Sequence, residues 1–497
     1  MSRSHQGGVL FGVIQFVGMS VTLNPPYEEW GAILASNRAV AAALHKIVGQ
    51  STVDAVRRDL LEAAVQYQSE IREWAGRLGI SILDRSSGRQ RNEPPIVMAG
   101  HQPVIYHPGI LEKTKRLRAL ADDVGGLALN IAIDTDEGDG GRLLWPLVTG
   151  DDVVIKQKSV SAGGGIYRDQ RVVAQGESAT IFGEMIQDLG ASGCSSAIAG
   201  AEEAARLYGA LAGEPIVLAN AIVRMSLGGE GYDEVPLSLL AEAPSVREFL
   251  YSIVRDGERF TGLYNATLER YRAEHRIKNP ANPFPNMDMG DEEIELPLWE
   301  IVEGSRKGIR IPRGGTSPIT NLIAPRGSIV TLLLRGLCCE LFVHGLGGGK
   351  YDHFVNAFAK ALWGAPLPTF VVASATKYLF PARVERYLHA REVKAKYKEM
   401  VSHTAAFMGQ GLFSPEDEKL LAPLLDRRQE LLPRMRHVQS KEERSAVAHQ
   451  LNEVNRLIKS GIDASSLAPL LAEGGIDDAR LNRWACREYP FFLFREL

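Results

Sequence analysis

The chain contains few cysteines and no excess of charge, and both facts exclude classes of protein. Four cysteines stand among 497 residues, too few for a disulfide framework, so we expect reduced thiols. Cys338 and Cys339 are adjacent rather than in Cys-x-x-Cys spacing, which argues against a zinc site of the usual kind. The net charge is −4, which gives the chain no overall electrostatic reason to bind nucleic acid.

Long hydrophobic runs are also scarce. The segment 7–23 (GGVLFGVIQFVGMSVTL) is fairly apolar, but Gln15 interrupts it and it is short and glycine-rich for a membrane span. Arg3 could be the positive end of a secretory signal, yet no small-residue cleavage site precedes Asn24. We therefore expect a cytoplasmic protein without a membrane segment. A signal peptide and a buried N-terminal strand are the alternatives.

Several familiar catalytic templates are missing. The sequence has no Gly-x-Ser-x-Gly, no His-Glu-x-x-His and no protein-kinase motif set. The segment 344–352 (HGLGGGKYD) is not a Walker A loop, because His344 stands where the first glycine belongs and Tyr351 where Ser or Thr is needed. Cys338 and Cys339 follow an apolar run, so they are predicted to be a buried pair and not nucleophiles.

The composition, 45% hydrophobic and 23% charged, is that of an ordinary globular protein, and the pattern along the chain predicts several zones. Residues 1–94 form a helical segment, with helices over 26–48 and about 51–78 that carry apolar stripes at helical spacing. A polar linker over 84–95 closes this zone.

Residues 95–380 have the pattern of an α/β core. A short apolar strand at 96–99, a helix from Pro108 to about Ala121 and a strand at 127–133 make one β-α-β unit of a parallel sheet. Further elements are predicted later in the chain: strands at 328–334, 341–343 and 369–372, and a helix over 352–362. We interpret the part between about 142 and 312 as an insertion into the sheet.

A charged helical arm is predicted over 381–462, with helices at 381–400, 415–438 and 441–459. Pro433 should kink or end the second of these helices. Apolar residues recur in steps of four, three and four, a heptad-like pattern that favours a helical hairpin or a coiled coil; they are Val447, Leu451, Val454 and Ile458. The tail, 463–497, is rich in aromatic residues and is expected to pack on the core.

Polar clusters follow the predicted strands, and ligands of open α/β sheets bind beyond the carboxyl ends of strands. The first cluster is Gly100-His101-Gln102 followed by His107-Pro108-Gly109, between a strand and its helix. Backbone N–H groups at a helix start attract anions, and two imidazoles could add hydrogen bonds to a phosphate. The alternative is that both histidines only satisfy loop carbonyls.

The second cluster is acidic and follows the next strand; it contains Asp134, Asp136, Glu137 and Asp139. Carboxylates so close together repel one another unless they hold a cation, an amine or a hydroxyl. Asp134 and Asp136 are two residues apart and, on an extended chain, face the same way, so they could act together. A solvated acidic turn is the alternative.

The third cluster is the glycine-rich segment after the strand 341–343, whose glycines would let the backbone approach a ligand closely. A tight turn without a ligand is the alternative. Its candidate substrate- or phosphate-binding residues are His344, Gly345, Gly347, Gly348, Lys350, Tyr351 and Asp352. Arg313, in the run 313–318, and Arg326 are further candidates for binding an anion, and the loop 282–286 is a candidate pocket wall.

The order of these clusters resembles the BshC family, the cysteine-adding enzymes of bacillithiol biosynthesis. The matching elements are the Gly-His-Gln turn with a Pro-Gly helix start, the strand that ends in Asp134-Thr135-Asp136, the glycine-rich turn and the late helical arm. Two departures are visible. Ile133 and Thr135 replace an acid and a histidine of the family pattern, and a Gly-Gly-Gly-Lys run replaces Gly-Pro-Gly-Glu.

The resemblance implies a Rossmann-like core with helical insertions and a coiled-coil arm used for homodimerisation. It implies a ligase that joins cysteine or a similar amino acid to the amine of an aminosugar-like acceptor, with ATP or ADP and Mg²⁺ as candidate cofactors. His101, Asp134 and Asp136 would be catalytic, the two acids orienting the amine while the histidine loop and the glycines hold phosphates. A nucleotidyltransferase and a non-catalytic metabolite-binding protein are the alternatives.

Overall fold

A computed structural model describes residues 12–16, 19–80, 82, 94–229, 231–315 and 318–494. Contacts divide the chain into two units, Met1–Leu379 with Arg487–Leu497 and Phe380–Cys486. Part of the apolar segment 7–23, most of the linker 84–95, and Thr316 and Ser317 of the run 313–318 lie outside the described residues.

The first unit is mixed α/β and contains all the strands that the structure describes. They are β1 (Gly12–Phe16), β2 (Met19–Asn24), β3 (Ile96–His101), β4 (Leu127–Ala132), β5 (Arg142–Thr149), β6 (Asp152–Ser159), β7 (Ser161–Ala162), β8 (Arg171–Val172), β9 (Asp233–Pro236), β10 (Glu293–Val302), β11 (Ser305–Pro312), β12 (Leu322–Pro325), β13 (Leu341–His344) and β14 (Val371–Lys377). Seven of them form one sheet in the order β1-β2-β14-β13-β3-β4-β9.

The five strands from β14 to β9 run parallel, whereas β2 pairs antiparallel with β14 and β1 antiparallel with β2. Ile96 to Ala99 and all of β4 are buried, as expected for parallel strands covered on both faces. The predicted strands at 96–99 and 127–133 are therefore confirmed. Residues 19–24 form the strand β2, in agreement with the N-terminal strand that was one alternative for the apolar segment.

Smaller sheets flank the large one. β10, β11 and β12 form a three-stranded antiparallel sheet, β5 and β6 a long hairpin, and β7 and β8 a short pair. Except for β12, these elements lie in the part of the chain that we interpreted as an insertion, 142–312. That interpretation is wrong at β9, which pairs with β4 as an edge strand of the large sheet. Its sequence, Asp-Glu-Val-Pro, has no apolar run, and its buried Glu234 is neutralised by Arg224 at 2.6 Å.

Helices cover the sheets of this unit. They are α1 (Trp30–Val48), α2 (Gln50–Arg77), α3 (Pro108–Val124), α4 (Gln175–Ala191), α5 (Ser195–Ala210), α6 (Ile216–Leu227), α7 (Leu237–Glu242), α8 (Pro244–Arg255), α9 (Gly257–Glu274), α10 (Gly327–Leu333) and α11 (Leu346–Trp363). The main core lies between the large sheet and α2, α8, α9, α10 and α11. Cys338 and Cys339 are buried in it as unpaired thiols, as predicted, and burial raises the pKa of Cys338 to about 12.

Two late elements differ from the sequence prediction. The run 328–334 is not a strand but α10, which continues into a π-helical turn at Leu334–Cys338. An apolar run that is buried on all sides has no periodicity to separate helix from strand. The glycine-rich segment is likewise not a separate turn, because α11 begins at Leu346 and takes the glycines into its first turn.

The second unit consists of α12 (Pro381–Ser402), α13 (Pro415–His437), α14 (Lys441–Asp463), α15 (Ala468–Glu473) and α16 (Asp478–Trp484). α13 packs against α14, as a hairpin would, and Val447, Val454 and Ile458 are buried there. α13 does not end at Pro433; its buried residues, among them Leu425 and Leu431, offset the hydrogen bond that a proline removes. This unit extends to Cys486, beyond the predicted boundary at 462, because α15 packs on α12.

The segment that follows the second unit belongs to the first. Phe491, Phe492 and Leu493 are buried, and the Phe491 N–H donates to the Tyr106 carbonyl at 2.8 Å. Within the described residues, no helix combines the length and the apolar character that a membrane crossing requires.

Candidate functional site

A cavity of about 470 Å³ lies at the carboxyl ends of the central parallel strands in the first unit. Its wall includes Gly100 and His101 of β3, His344 of β13, Ser374 of β14, and Asp136 from the turn after β4. This is the edge at which open α/β sheets bind ligands, and the volume suits a small molecule.

Most of the candidate residues from the three sequence clusters line this cavity. They are Gly100, His101, Gln102, His107, Gly109, Asp136, His344, Gly345, Gly347, Gly348, Tyr351 and Asp352. The loop 282–286 contributes Phe284, which also lies on the wall. The topology brings the three clusters together because β13, β3 and β4 are neighbours in the sheet.

Asp134 does not line the cavity. It is buried, and its carboxylate accepts hydrogen bonds from the Ser238 backbone N–H at 2.8 Å and the Ser238 hydroxyl at 2.5 Å. Burial raises the pKa of Asp134 to about 6, although the bonds from Ser238 oppose this rise. Asp134 and Asp136 therefore do not act as a pair, because a turn and not an extended strand follows Ala132.

Four other candidates also lie away from the cavity wall. Arg313 is paired with Glu258, and Arg326 donates to Glu295 at 2.8 Å and stacks on Trp299. Glu137 contacts Arg306 at 3.7 Å without reaching the wall, and Lys350 is exposed.

His101 is held as a neutral imidazole. Its Nδ1 lies 3.0 Å from the Gln102 carbonyl oxygen, so Nδ1 carries the proton that it donates. Burial, helped by the positive charge of Lys113, lowers the pKa of His101 to about 3. The remaining Nε2 is then a hydrogen-bond acceptor beside the cavity.

His107 has a different task. Its Nδ1 accepts the Gly109 N–H at 3.0 Å and so caps the start of α3. Gly109 fits there because a Cβ would lie 2.5 Å from the Ala375 carbonyl oxygen. The Gly109 N–H, which the sequence predicted to be free, is thus bonded to His107 and does not donate to an anion.

Asp136 is tied into a small polar network. Gln102 Nε2 donates to Asp136 Oδ2 at 2.9 Å, and the Arg306 guanidinium pairs with Oδ1. Arg306 in turn lies over the Trp299 ring, 4.6 Å from its centroid. This network presents a carboxylate of fixed orientation beside a cation and an aromatic face.

On the opposite side of β3, His344 joins a buried polar chain. Its Nε2 lies 2.8 Å from Asp352 Oδ2, and Arg335 contacts the same oxygen and also donates to Asn356 at 2.7 Å. Burial alone would raise the pKa of Asp352, but Arg335 and His344 outweigh it and hold the pKa at about 2. Asp352 is therefore an anion that orients the His344 ring.

The first turn of α11 approaches the cavity with bare backbone. Gly345 is the N-cap and has no side chain to satisfy the N–H groups of the next residues. Around Gly345 and Gly347 an added Cβ would meet nothing within 4 Å, whereas at Gly348 it would lie 2.7 Å from His344 Nδ1. The helix start therefore leaves donors and open space at the cavity edge.

Three cationic residues of the wall and one tryptophan were not predicted from the sequence: Lys113, Arg306, Arg487 and Trp299. Lys113 is buried in α3 and donates to the Gly100 carbonyl at 2.7 Å. A lysine that faces the sheet side of an amphipathic helix is a signal that could have been noticed. Arg306 and Arg487 come from a hairpin and a tail remote in sequence, and no local pattern marks them.

The described residues contain no group of three or more His, Cys, Asp or Glu that could hold a metal ion. Within the described part of the wall, the acids are Asp136 and Asp352, and each is already paired with an arginine. These residues do not fit a Mg²⁺ site built by the protein.

The cavity thus combines uncharged imidazoles, cationic side chains, free helix N–H groups and two arginine-paired carboxylates with aromatic walls. Such a set can bind an anionic group and hold a neighbouring amine or hydroxyl by its N–H or O–H. No protein-family model matches the chain, and no curated protein matches it.

Proposed function

We propose that the cavity is the active site of a ligase that joins an amino acid, cysteine or a similar one, to the amine of a small aminosugar-like acceptor. One observation carries the proposal: each of the three clusters on which the resemblance to the BshC family rests contributes residues to the wall of a single cavity. Ile133 and Thr135, which replace an acid and a histidine of the family pattern, also lie on that wall. The chain would then be a divergent member of that family.

The same proposal includes the finer architecture. Five neighbouring parallel strands with helices on both faces support a Rossmann-like core. The α13–α14 hairpin with its heptad-like apolar residues supports a coiled-coil arm through which two copies would form a homodimer. A cytoplasmic location is part of this proposal too.

In the proposed reaction, the acceptor amine attacks the carbonyl carbon of an activated amino acid. The C–N bond forms, the bond from carbon to the leaving oxygen breaks, and the leaving group departs with the electron pair. His101 Nε2 accepts one N–H of the amine and orients its lone pair, and Asp136 takes the proton that the amine loses. Positioning of the two substrates supplies much of the rate.

Activation of the carboxylate requires a co-substrate, and ATP is the proposed one. The N–H groups at the start of α11 and the open space at Gly345 and Gly347 would receive its phosphates. Because the described residues do not build a Mg²⁺ site, we assign no step to that ion.

The test is an incubation of the full chain with ATP, Mg²⁺, cysteine and glucosaminyl-malate, followed by mass spectrometry. Asp136→Asn and Glu137→Gln form a matched pair, because both acids contact Arg306 and only Asp136 lines the cavity. We expect an adduct of cysteine and the aminosugar that is lost in Asp136→Asn and kept in Glu137→Gln.

Other results would redirect the proposal. Equal adduct formation by Asp136→Asn would contradict the site, and cleavage of ATP without an adduct would point to a different amine. Release of pyrophosphate without an amide bond would indicate a nucleotidyltransferase. If the incubation gives neither ATP cleavage nor an adduct, that result contradicts the ligase and favours a metabolite-binding protein.

A further inference from the structure

Arg487 reaches the cavity from the segment that follows the second unit. This segment packs closely within the first unit, and Tyr489 and Phe492 are buried there. Its backbone contacts α5 at Gly200, where an added Cβ would lie 1.9 Å from the Phe492 carbonyl oxygen. The Phe491 N–H is bonded to the residue just before His107. The position of Arg487 is therefore set by packing and not by chance.

The charge of Arg487 is not neutralised within the described residues. Lys113 donates to the Gly100 carbonyl, and Arg306 pairs with Asp136, but Arg487 has neither an ion pair nor a hydrogen bond there. The neighbouring acid, Glu488, is instead paired with Arg142 at 2.7 Å. An arginine that lines a cavity without a partner is a guanidinium fork available to a ligand.

His107 supplies a second donor on the same side. Since its Nδ1 accepts the Gly109 N–H, the neutral ring carries its proton on Nε2. Burial and the nearby charge of Arg487 lower the pKa of His107 to about 4, so the ring is neutral at physiological pH. Across β3, the Asp136 network occupies the β4 side of the cavity, whereas α3 and its cap pack against β14.

We propose that Arg487 and His107 form an oxyanion subsite that binds a carboxylate or phosphate group of the substrate. The subsite deepens the proposed function, on which it rests, because it places the anionic end of the substrate near β14 and the reacting amine near Asp136. The substrate class that follows is a small molecule that carries an oxyanion at a distance from its reacting group.

Binding of simple oxyanions tests this subsite without any turnover. Succinate and inorganic phosphate are titrated calorimetrically into the full chain and into Arg487→Gln, Arg487→Lys and Arg255→Gln, each first checked for folding by circular dichroism. We expect Arg487→Gln to weaken binding about tenfold or more, and Arg487→Lys to weaken it less, because lysine keeps the charge but not the fork. Arg255→Gln, which removes an exposed arginine that is paired with Glu248 and lies outside the cavity wall, should bind like the unmodified chain.

The two anions distinguish the source of the oxyanion: tighter succinate assigns the subsite to a carboxylate, and tighter phosphate to a phosphate. Equal binding by Arg487→Gln and the unmodified chain would overturn the subsite, as would the absence of binding of both anions. The ligase proposal fails separately. A working subsite without any adduct refutes the ligase alone, and an adduct without the subsite refutes the subsite alone.

Discussion

His344 Nε2 lies 2.8 Å from Asp352 Oδ2, which joins the last residue of β13 to the second turn of α11. Both side chains are buried, and Arg335 pairs with the same carboxylate oxygen. The hydrogen bond thus fixes the ring of a cavity residue through a charged pair in the core.

Asp352→Asn should destabilise the first unit. The change leaves the Arg335 guanidinium buried without its counter-charge, and loss of one partner of a buried pair costs about 3–5 kcal/mol. Urea unfolding followed by tryptophan fluorescence measures the loss. Lys350→Gln, two residues away and exposed, is the control and should change the free energy of unfolding little. Equal stability of Asp352→Asn and the control would contradict the prediction.

Stability should fall on mild acidification, in part because of His101. The pKa of His101 is about 3 in the folded chain and 6.5 when unperturbed. Between these two values the unfolded chain is protonated at His101 and the folded chain is not, so protonation favours unfolding. Stability from this residue is complete above pH 6.5 and is lost as the pH falls towards 3; between pH 7 and pH 5 the loss is about 2 kcal/mol.

The measurement is urea unfolding at pH 7 and pH 5 for the unmodified chain and for His101→Gln, which retains a side-chain donor for the Gln102 carbonyl. Asp134 contributes to the pH dependence of stability in the same range with the opposite sign, since its pKa is raised. Because both proteins contain Asp134, its contribution cancels when their losses of stability are compared. The variant should lose less stability than the unmodified chain. The same loss in both proteins would refute a neutral His101 in the folded chain.

Gly347→Ala and Gly348→Ala should separate stability from ligand access. Alanine at 347 meets no atom within 4 Å and should leave the thermal unfolding midpoint unchanged or slightly raised, while its methyl group narrows the cavity edge and lowers adduct formation. Alanine at 348 would crowd His344 and should also lower stability, by about 1–3 kcal/mol. Differential scanning calorimetry checks both, and a destabilised Gly347→Ala would count against the described helix start.

The proposed homodimer has its own test in the second unit. Leu420 on α13 is 71% exposed, unusual for a leucine and suited to a contact between two copies. Light scattering should give the mass of a dimer for the unmodified chain and of a monomer for Leu420→Glu. Lys419→Glu, the adjacent exposed position, should remain a dimer. A monomeric unmodified chain would refute the coiled-coil dimer.

The local chemistry of β3, β4 and the start of α3 could be predicted from sequence. Continuous apolar runs ended by polar residues mark buried parallel strands, and Pro108-Gly109 marks a helix start. Because the carboxyl ends of parallel strands meet at one sheet edge, the sequence alone could assign the clusters that follow β3 and β13 to a common site.

The remainder depends on contacts between distant parts of the chain. Asp134 points away from the cavity because Ser238, 104 residues later, binds it. Arg306 reaches Asp136 only through the pairing of β10 with β11. The helix at 327–333 could not be separated from a strand, since both of its faces are buried.

The position of Arg487 in the chain has a consequence for biosynthesis. The ribosome makes the whole second unit before it makes Arg487, so a nascent chain can fold its large sheet while one wall of the cavity is still untranslated. Translation that stops within the helices of the second unit would release a product that lacks the Arg487 part of the cavity wall. A cavity wall that includes Arg487 is thus complete only after the segment that follows Cys486 has been synthesised.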